Sequence, residues 1–298
     1  MAQVRRNGDR EQTAKRLLTS SVKNSFDPEL DIDWDAPLLP GKMYMPYERV
    51  SLYGTDIWNG LTEAQRGTLS RHELASISSV GLWFEVILLQ LLSRYVYDRD
   101  PLSAHTHYAL TEIGDETRHI IMFAKAITKF DVPAYGPPHW LHHSARLFKA
   151  TSAGPSMFAS VLVAEEITDR FQRAMMDDER IQPTIRMTNR IHVVEEARHV
   201  RFAREEVVRQ LRTLSPPARE LHRWLCATVA YCIVDNLINP KVYASVGLDP
   251  SQSRTVALAN PHHHETRRWM GERVTAFLRE IGIITGPSTA LWRKAHLI

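Results

Sequence analysis

Several kinds of segment are missing from these 298 residues. No run of 18 apolar residues occurs, so the pattern gives no membrane span. The opening MAQVRRNGDREQTAKRLL is polar and basic and offers no apolar stretch for a secretory signal. Cysteine is nearly absent. Cys226 and Cys232 stand six apart in one expected helix, which fits neither a disulfide framework nor a Cys-x-x-Cys pair. A dominant charge is lacking too: 37 Lys and Arg are interspersed with 34 Asp and Glu, and a net +3 with His neutral is too weak for a nucleic-acid surface. Convincing pairs of alternating strands do not occur. A cytoplasmic, helical protein is the expectation these absences leave.

Helical periodicity fills most of the chain. Residues 1–60 read as an extended or irregular N-terminal segment, with RRNGDREQTAKR as a solvated arm and DIDWDAPLLPGK crossing the body. A single helical domain is expected over 61–298. Long helices are predicted over about 71–97, 103–129, 156–178 and 182–213, and further ones over 216–238 and 262–282. Asp100-Pro101 stops the first, and Ser103 is the expected cap of the second. The stretch 131–155, with four prolines and two glycines, is a crossover that can carry a short helical piece. GLDPSQSR reads as a turn, and the tail GPSTALWRKAHLI is unassigned. Four long helices with one long crossover predict an all-α, ferritin-like four-helix bundle, core about 71–212, with additional peripheral helices.

That bundle carries an internal repeat. DETRH at 115–119 and EEARH at 195–199 share the pattern acid-Glu-x-Arg-His at an offset of 80 residues. Glu85 and Glu165, each 31 residues before its Glu-x-x-His glutamate, are also 80 apart, and each sits in an apolar run. Glu85 and Glu116 lie fifteen residues either side of Asp100-Pro101, so both stand roughly 22 Å up their helices from the turn. They are level. Each hairpin thus supplies one Glu and one Glu-x-x-His, the arrangement of dimetal carboxylate bundles. A lone buried acid is costly without a partner. Glu166 points about 100° away from Glu165; the equal spacing selects Glu165.

Four carboxylates balance two divalent cations, and mixed imidazole and carboxylate donors suit iron or manganese. Asp115 and Glu195 each precede a ligand glutamate and should point sideways to the opposite helix. There Asp115 would accept the N–H of His199, and Glu195 that of His119. His192 breaks the symmetry, because Glu112 stands 80 residues before it. Lying one turn from Glu196, it is either a packed histidine or a third imidazole on the same ion.

The segments LWFEVILLQ, EIGDETRHIIMFAK, VAEEITDRF and RIHVVEEARHVRFAREE resemble the ligand segments of AurF-type non-haem di-iron N-oxygenases. That family includes p-aminobenzoate N-oxygenase, and its hallmark is an extra histidine before the last Glu-x-x-His. The resemblance covers the core, about 71–212. It implies a ligand set of Glu85, Glu116, His119, Glu165, His192, Glu196 and His199 around two iron ions, with manganese or a mixed pair left open by the donor types. It also implies a homodimer that uses O2 and an external electron donor to oxidise a small amine to hydroxylamine, nitroso or nitro products. The two turns before Glu85, within ASISSVGLWF, offer no cation for an aromatic carboxylate, which disfavours an aminobenzoate and leaves a neutral arylamine, although Arg94 and Arg118 can contribute charge from elsewhere. Arg118 and Arg198 are expected in ion pairs at the bundle surface. C–H hydroxylation, desaturation and iron storage would use the same donors; the apolar surroundings of Glu85 favour a dry substrate pocket over an iron path.

Overall fold

A computed structural model describes residues 9–298. In chain order the helices are α1 (Arg10–Lys23), α2 (Pro28–Asp31), α3 (Asp56–Gly60), α4 (Glu63–Tyr97), α5 (Ala104–Lys129), α6 (His139–Thr151), α7 (Pro155–Met176), α8 (Pro183–Leu211), α9 (Pro216–Asp235), α10 (Pro250–Ala259), α11 (Pro261–Glu280) and α12 (Thr289–Lys294). No strand forms among the described residues; one isolated parallel bridge pairs Met43 with Ile181. The fold is all-α and ferritin-like.

Two hairpins, α4–α5 and α7–α8, pack face to face, α5 against α8 and α4 against α7. α9 and α11 cover α7, and α12 covers α9, where Trp292 of the unassigned tail is buried. Ser103 caps α5 by accepting the Thr106 N–H at 3.2 Å. Core helix ends fall within two residues of expectation except at the start of α4. That helix begins at Glu63, eight residues before its expected start, because Thr62 and Gln65 form a reciprocal capping box. The turns they open are largely polar and carry no apolar period. α4 is also long and apolar enough to cross a membrane, with 56% of its most apolar window buried in the bundle. It carries Glu73 and Glu85 inside.

The N-terminal expectation needs correcting. α1 packs on α5 and α8, so most of the charged stretch expected in solvent is a docked helix; its residues 5–8 lie outside the described ones. The residues α1 buries are Thr13, Ala14 and Ser21, and half-buried Leu17 and Leu18 pack on the core beside Ala14, an apolar stripe only one turn long. Charge adds to that contact. Arg10 forks onto buried Glu206 at 3.1 and 2.8 Å. The Glu11 carboxylate accepts the N–H groups of Ala104 (2.8 Å) and His105 (3.2 Å), satisfying the first turn of α5 and complementing its dipole. A second correction concerns GLDPSQSR. Asp249 accepts the Gln252 N–H at 2.7 Å with Pro250 in the first turn, so the apparent turn is the start of α10.

Candidate metal centre

The four core helices bring all seven candidate ligands into one buried cluster: Glu85 from α4, Glu116 and His119 from α5, Glu165 from α7, and His192, Glu196 and His199 from α8. Donor atoms of Glu85, His119 and His192 lie within 4.8 Å of one another, as do those of Glu165, His192 and Glu196, and those of Glu116, His119 and Glu196. Glu116 and Glu196 occupy the middle. His119 Nδ1 stands 2.8 Å from Glu116 and 3.7 Å from Glu196, and His199 Nδ1 stands 2.8 Å from Glu196 and 2.9 Å from Glu116.

The imidazole orientations are set from outside. His199 Nε2 lies 3.1 Å from Asp115, and His119 Nε2 lies 2.9 Å from Glu195. Each outer acid therefore reaches the histidine of the opposite hairpin, the crossed pairing expected from the spacing. A proton on Nε2 leaves the Nδ1 lone pair facing the carboxylates, the form a metal requires. Arg118 pairs with Asp115, and Arg198 lies 3.3 Å from Asp115 and 3.7 Å from Glu195. Two acids thus meet two guanidiniums. Arg198 is buried and not in the surface ion pair expected of it, because the chain after α1 covers it. Asn24 C=O accepts from Arg198 at 3.0 Å, and the Phe26 N–H donates to Glu195 at 3.2 Å.

His192 faces inward. Its Nε2 is 3.3 Å from Glu85 and 3.8 Å from Glu196, while its Nδ1 is 2.7 Å from Gln172 Oε1. An amide oxygen can only accept, so Nδ1 carries the proton and Nε2 offers its lone pair to the cluster. Burial and neighbouring His119 hold His192 well below the usual imidazole range, so it is neutral. Gln172 escaped the sequence analysis, although it lies seven residues after Glu165, two turns along the same face. Glu112 also escaped as a contributor: a donor oxygen of it lies within 4.8 Å of Glu116 and His199. Its counterpart in the repeat is His192. Glu166 turns away onto Arg204 Nε at 2.8 Å and is buried there.

Electrostatics show what the cluster lacks. Burial, then the charges of Glu116 and Glu165, push Glu85 far above the carboxylate range; burial, then Glu196 and Glu116, do the same to Glu165. Glu112 is pushed up to about 8, first by burial. Oε2 of Glu85, Glu112 and Glu196 is buried without a hydrogen-bond donor. Unpaired oxygens converging in a dry interior are costly unless a cation satisfies them. Four carboxylates and three imidazoles fit a pair of divalent transition metals.

A small cavity of about 40 Å³ opens on this cluster, touching Glu85, Glu165 and His192. Phe84, Phe123 and Phe171 make it largely apolar, and Asn189, whose Nδ2 is buried without a partner, faces it.

The family described as P-aminobenzoate N-oxygenase AurF matches residues 7–282, nearly the whole chain. Uncharacterized proteins of Mycobacterium bovis and Mycobacterium tuberculosis are each 30% identical over 209 residues, covering 67% of this chain and 61% of theirs. The chain thus spans about three fifths of the length of these relatives.

Proposed function

The chain belongs to the AurF family of p-aminobenzoate N-oxygenases, and on that premise we propose that it oxidises the nitrogen of a small neutral arylamine. The centre would be held by Glu85, Glu116, His119, Glu165, His192, Glu196 and His199, with two iron ions as the first choice of metal. Bound there, the metal pair supplies the activation of O2. For amine to hydroxylamine, one oxygen atom enters the N–H bond and the other leaves as water. Two electrons and two protons come from an external donor. A homodimer in the cytoplasm completes the proposal.

The residues divide the remaining work. Asp115 and Glu195 fix two imidazoles, and Gln172 fixes the third. Phe84, Phe123 and Phe171 exclude water from the nitrogen's position, and Asn189 Nδ2 offers it a donor. No Lys or Arg lines the inner cavity to hold a carboxylate. This supports a neutral amine over an aminobenzoate.

One observation carries the assignment: His192 joins Glu85, Glu165 and Glu196 with its lone pair directed inward. A third imidazole adds a strong donor without adding negative charge. Elemental analysis after anaerobic iron loading should approach two equivalents per chain, and a plateau at one or zero refutes the dimetal centre. His192→Ala should fold and retain iron on six ligands, yet lose most conversion of arylamines to hydroxylamine or nitroso products. His222→Ala, on a histidine bonded to Ser156 outside the cluster, should stay active. Equal N-oxygenation by His192→Ala and wild type at equal iron content sinks the assignment.

A further inference from the structure

Phe84, Ala164, Glu165 and Ile233 line the inner cavity with one face and a second cavity with the other. The second holds about 380 Å³ and runs between α4, α6, α7 and α9. At about 40 Å³ the inner cavity has room for a few atoms and not for a ring. Whatever brings a nitrogen to the cluster must keep its bulk elsewhere, and the larger cavity is of the size that ligand sites occupy.

Its chemistry is restrictive. Among its lining residues no Lys, Arg or His occurs, and Glu165, at the cluster end, is the one carboxylate. An anion entering it would lose water without gaining a partner. One buried hydroxyl is left over. Ser160 is buried on α7, lines this cavity, and its Oγ has no hydrogen-bond partner. Ser160 precedes Glu165 by five residues, about 7.5 Å along the helix, close to the span of a para-substituted ring. The outer wall is α6, which buries Leu141 alone of its 13 residues. Pro137-Pro138 precede it and Gly154, at φ 70°, follows, so it is a thin cover between two breaks.

We propose that this second cavity is the subsite for the body of the substrate. It takes the apolar body of a neutral amine, directs the nitrogen past Phe84 toward Glu165, and binds one uncharged acceptor oxygen through the Ser160 hydroxyl. The identity of the nitrogen end rests on the N-oxygenation proposed above; the site for the body does not.

The test reads binding without turnover. Protein loaded anaerobically with ferrous iron is titrated calorimetrically with 4-(2-methoxyethyl)aniline, 4-butylaniline and 4-aminobenzoate. Both neutral amines should bind, with the carboxylate at least tenfold weaker, on the order of one unpaired buried charge or more. Ala145→Trp, which fills the cavity from α6, should weaken both neutral amines about tenfold or more at unchanged iron content and melting temperature. Ser160→Ala should weaken the ether roughly fivefold, the worth of one hydrogen bond, and leave 4-butylaniline unchanged. Wild-type affinity in a folded Ala145→Trp, or equal binding of 4-aminobenzoate, overturns the subsite. If Ala145→Trp does not fold, Ser160→Ala decides: an equal effect on the two neutral amines, or none on either, overturns it. Binding that responds to both variants while O2 yields no oxidised nitrogen would leave the subsite standing and remove the N-oxygenation.

Discussion

Asp115 touches no candidate metal position, yet its replacement should be felt there in graded steps. Three donors converge on its carboxylate: Arg118 Nη2 on Oδ1, and Arg198 Nη2 (3.3 Å) with His199 Nε2 (3.1 Å) on Oδ2. Asparagine keeps one acceptor oxygen and turns the other into an amide donor. Placed at Oδ2, that donor would face two N–H groups, one of them on buried Arg198; placed at Oδ1, it faces only Arg118, whose side chain is 38% exposed and can swing into water. The amide therefore keeps its oxygen toward His199, and the histidine retains its bond without the charge. Losing an outer partner costs metal affinity ~10–100-fold. Asp115→Asn belongs at the mild end, about tenfold or 1.4 kcal/mol, and Asp115→Ala at the severe end, about a hundredfold or 2.7 kcal/mol. Competition of the variants against a chelator for ferrous iron or cobalt under anaerobic conditions measures both. Glu166→Gln is the control: Glu166 is buried and paired with Arg204 beside a ligand residue but faces away, so it should lose stability and no affinity. Asn and Ala variants of equal affinity would refute the amide orientation, and wild-type affinity in both would refute the coupling of Asp115 to His199.

Glu73 is buried and pushed up to about 7 by desolvation, with its carboxyl held by the Ser51 N–H at 2.9 Å. A folded pKa raised above the unfolded value of about 4.5 means its stabilising share is present below that value and is lost as pH climbs through 7. The loss amounts to roughly 3 kcal/mol, so Glu73→Gln should exceed wild type by that order at pH 8 in urea denaturation, and an unchanged pH slope would refute it. Metal binding should stabilise the bundle by about 2.7 kcal/mol for each site whose free metal exceeds Kd a hundredfold. Identical melting curves with ferrous iron and with a chelator would contradict that.

The sequence was most legible where the chain repeats. An offset of 80 residues places eight side chains, six candidate ligands and two outer acids; His192, one turn before Glu196, makes the ninth, and the structure gathers all nine. Periodicity finds long helices because their buried faces are apolar. It misses α1, whose apolar stripe of Ala14, Leu17 and Leu18 spans one turn among polar residues and whose attachment is completed by Arg10 and Glu11. It starts α4 late for the same reason. Gln172 was invisible to a search for ionisable donors, since its task is to accept one hydrogen bond from His192. Arg198 looked superficial because guanidiniums seldom sit inside, and only the three-dimensional path of Asn24 and Phe26 shows what covers it.

The docking of α1 also sets an order of events during synthesis. Arg10 leaves the ribosome early, but its partner Glu206 is 196 residues behind it. At ~5–20 residues per second, roughly ten to forty seconds separate the two. Phe26 waits almost as long for Glu195, and Asn24 for Arg198. The nascent chain can seat α1 on α5 through Glu11 once Ala104 and His105 emerge, but Arg10 stays without Glu206 until α8 follows, and the candidate ligands Glu196 and His199 arrive on that same helix. Closure of the outer acids and completion of the donor set both await α8, so a metal pair would be captured only after elongation has passed the core.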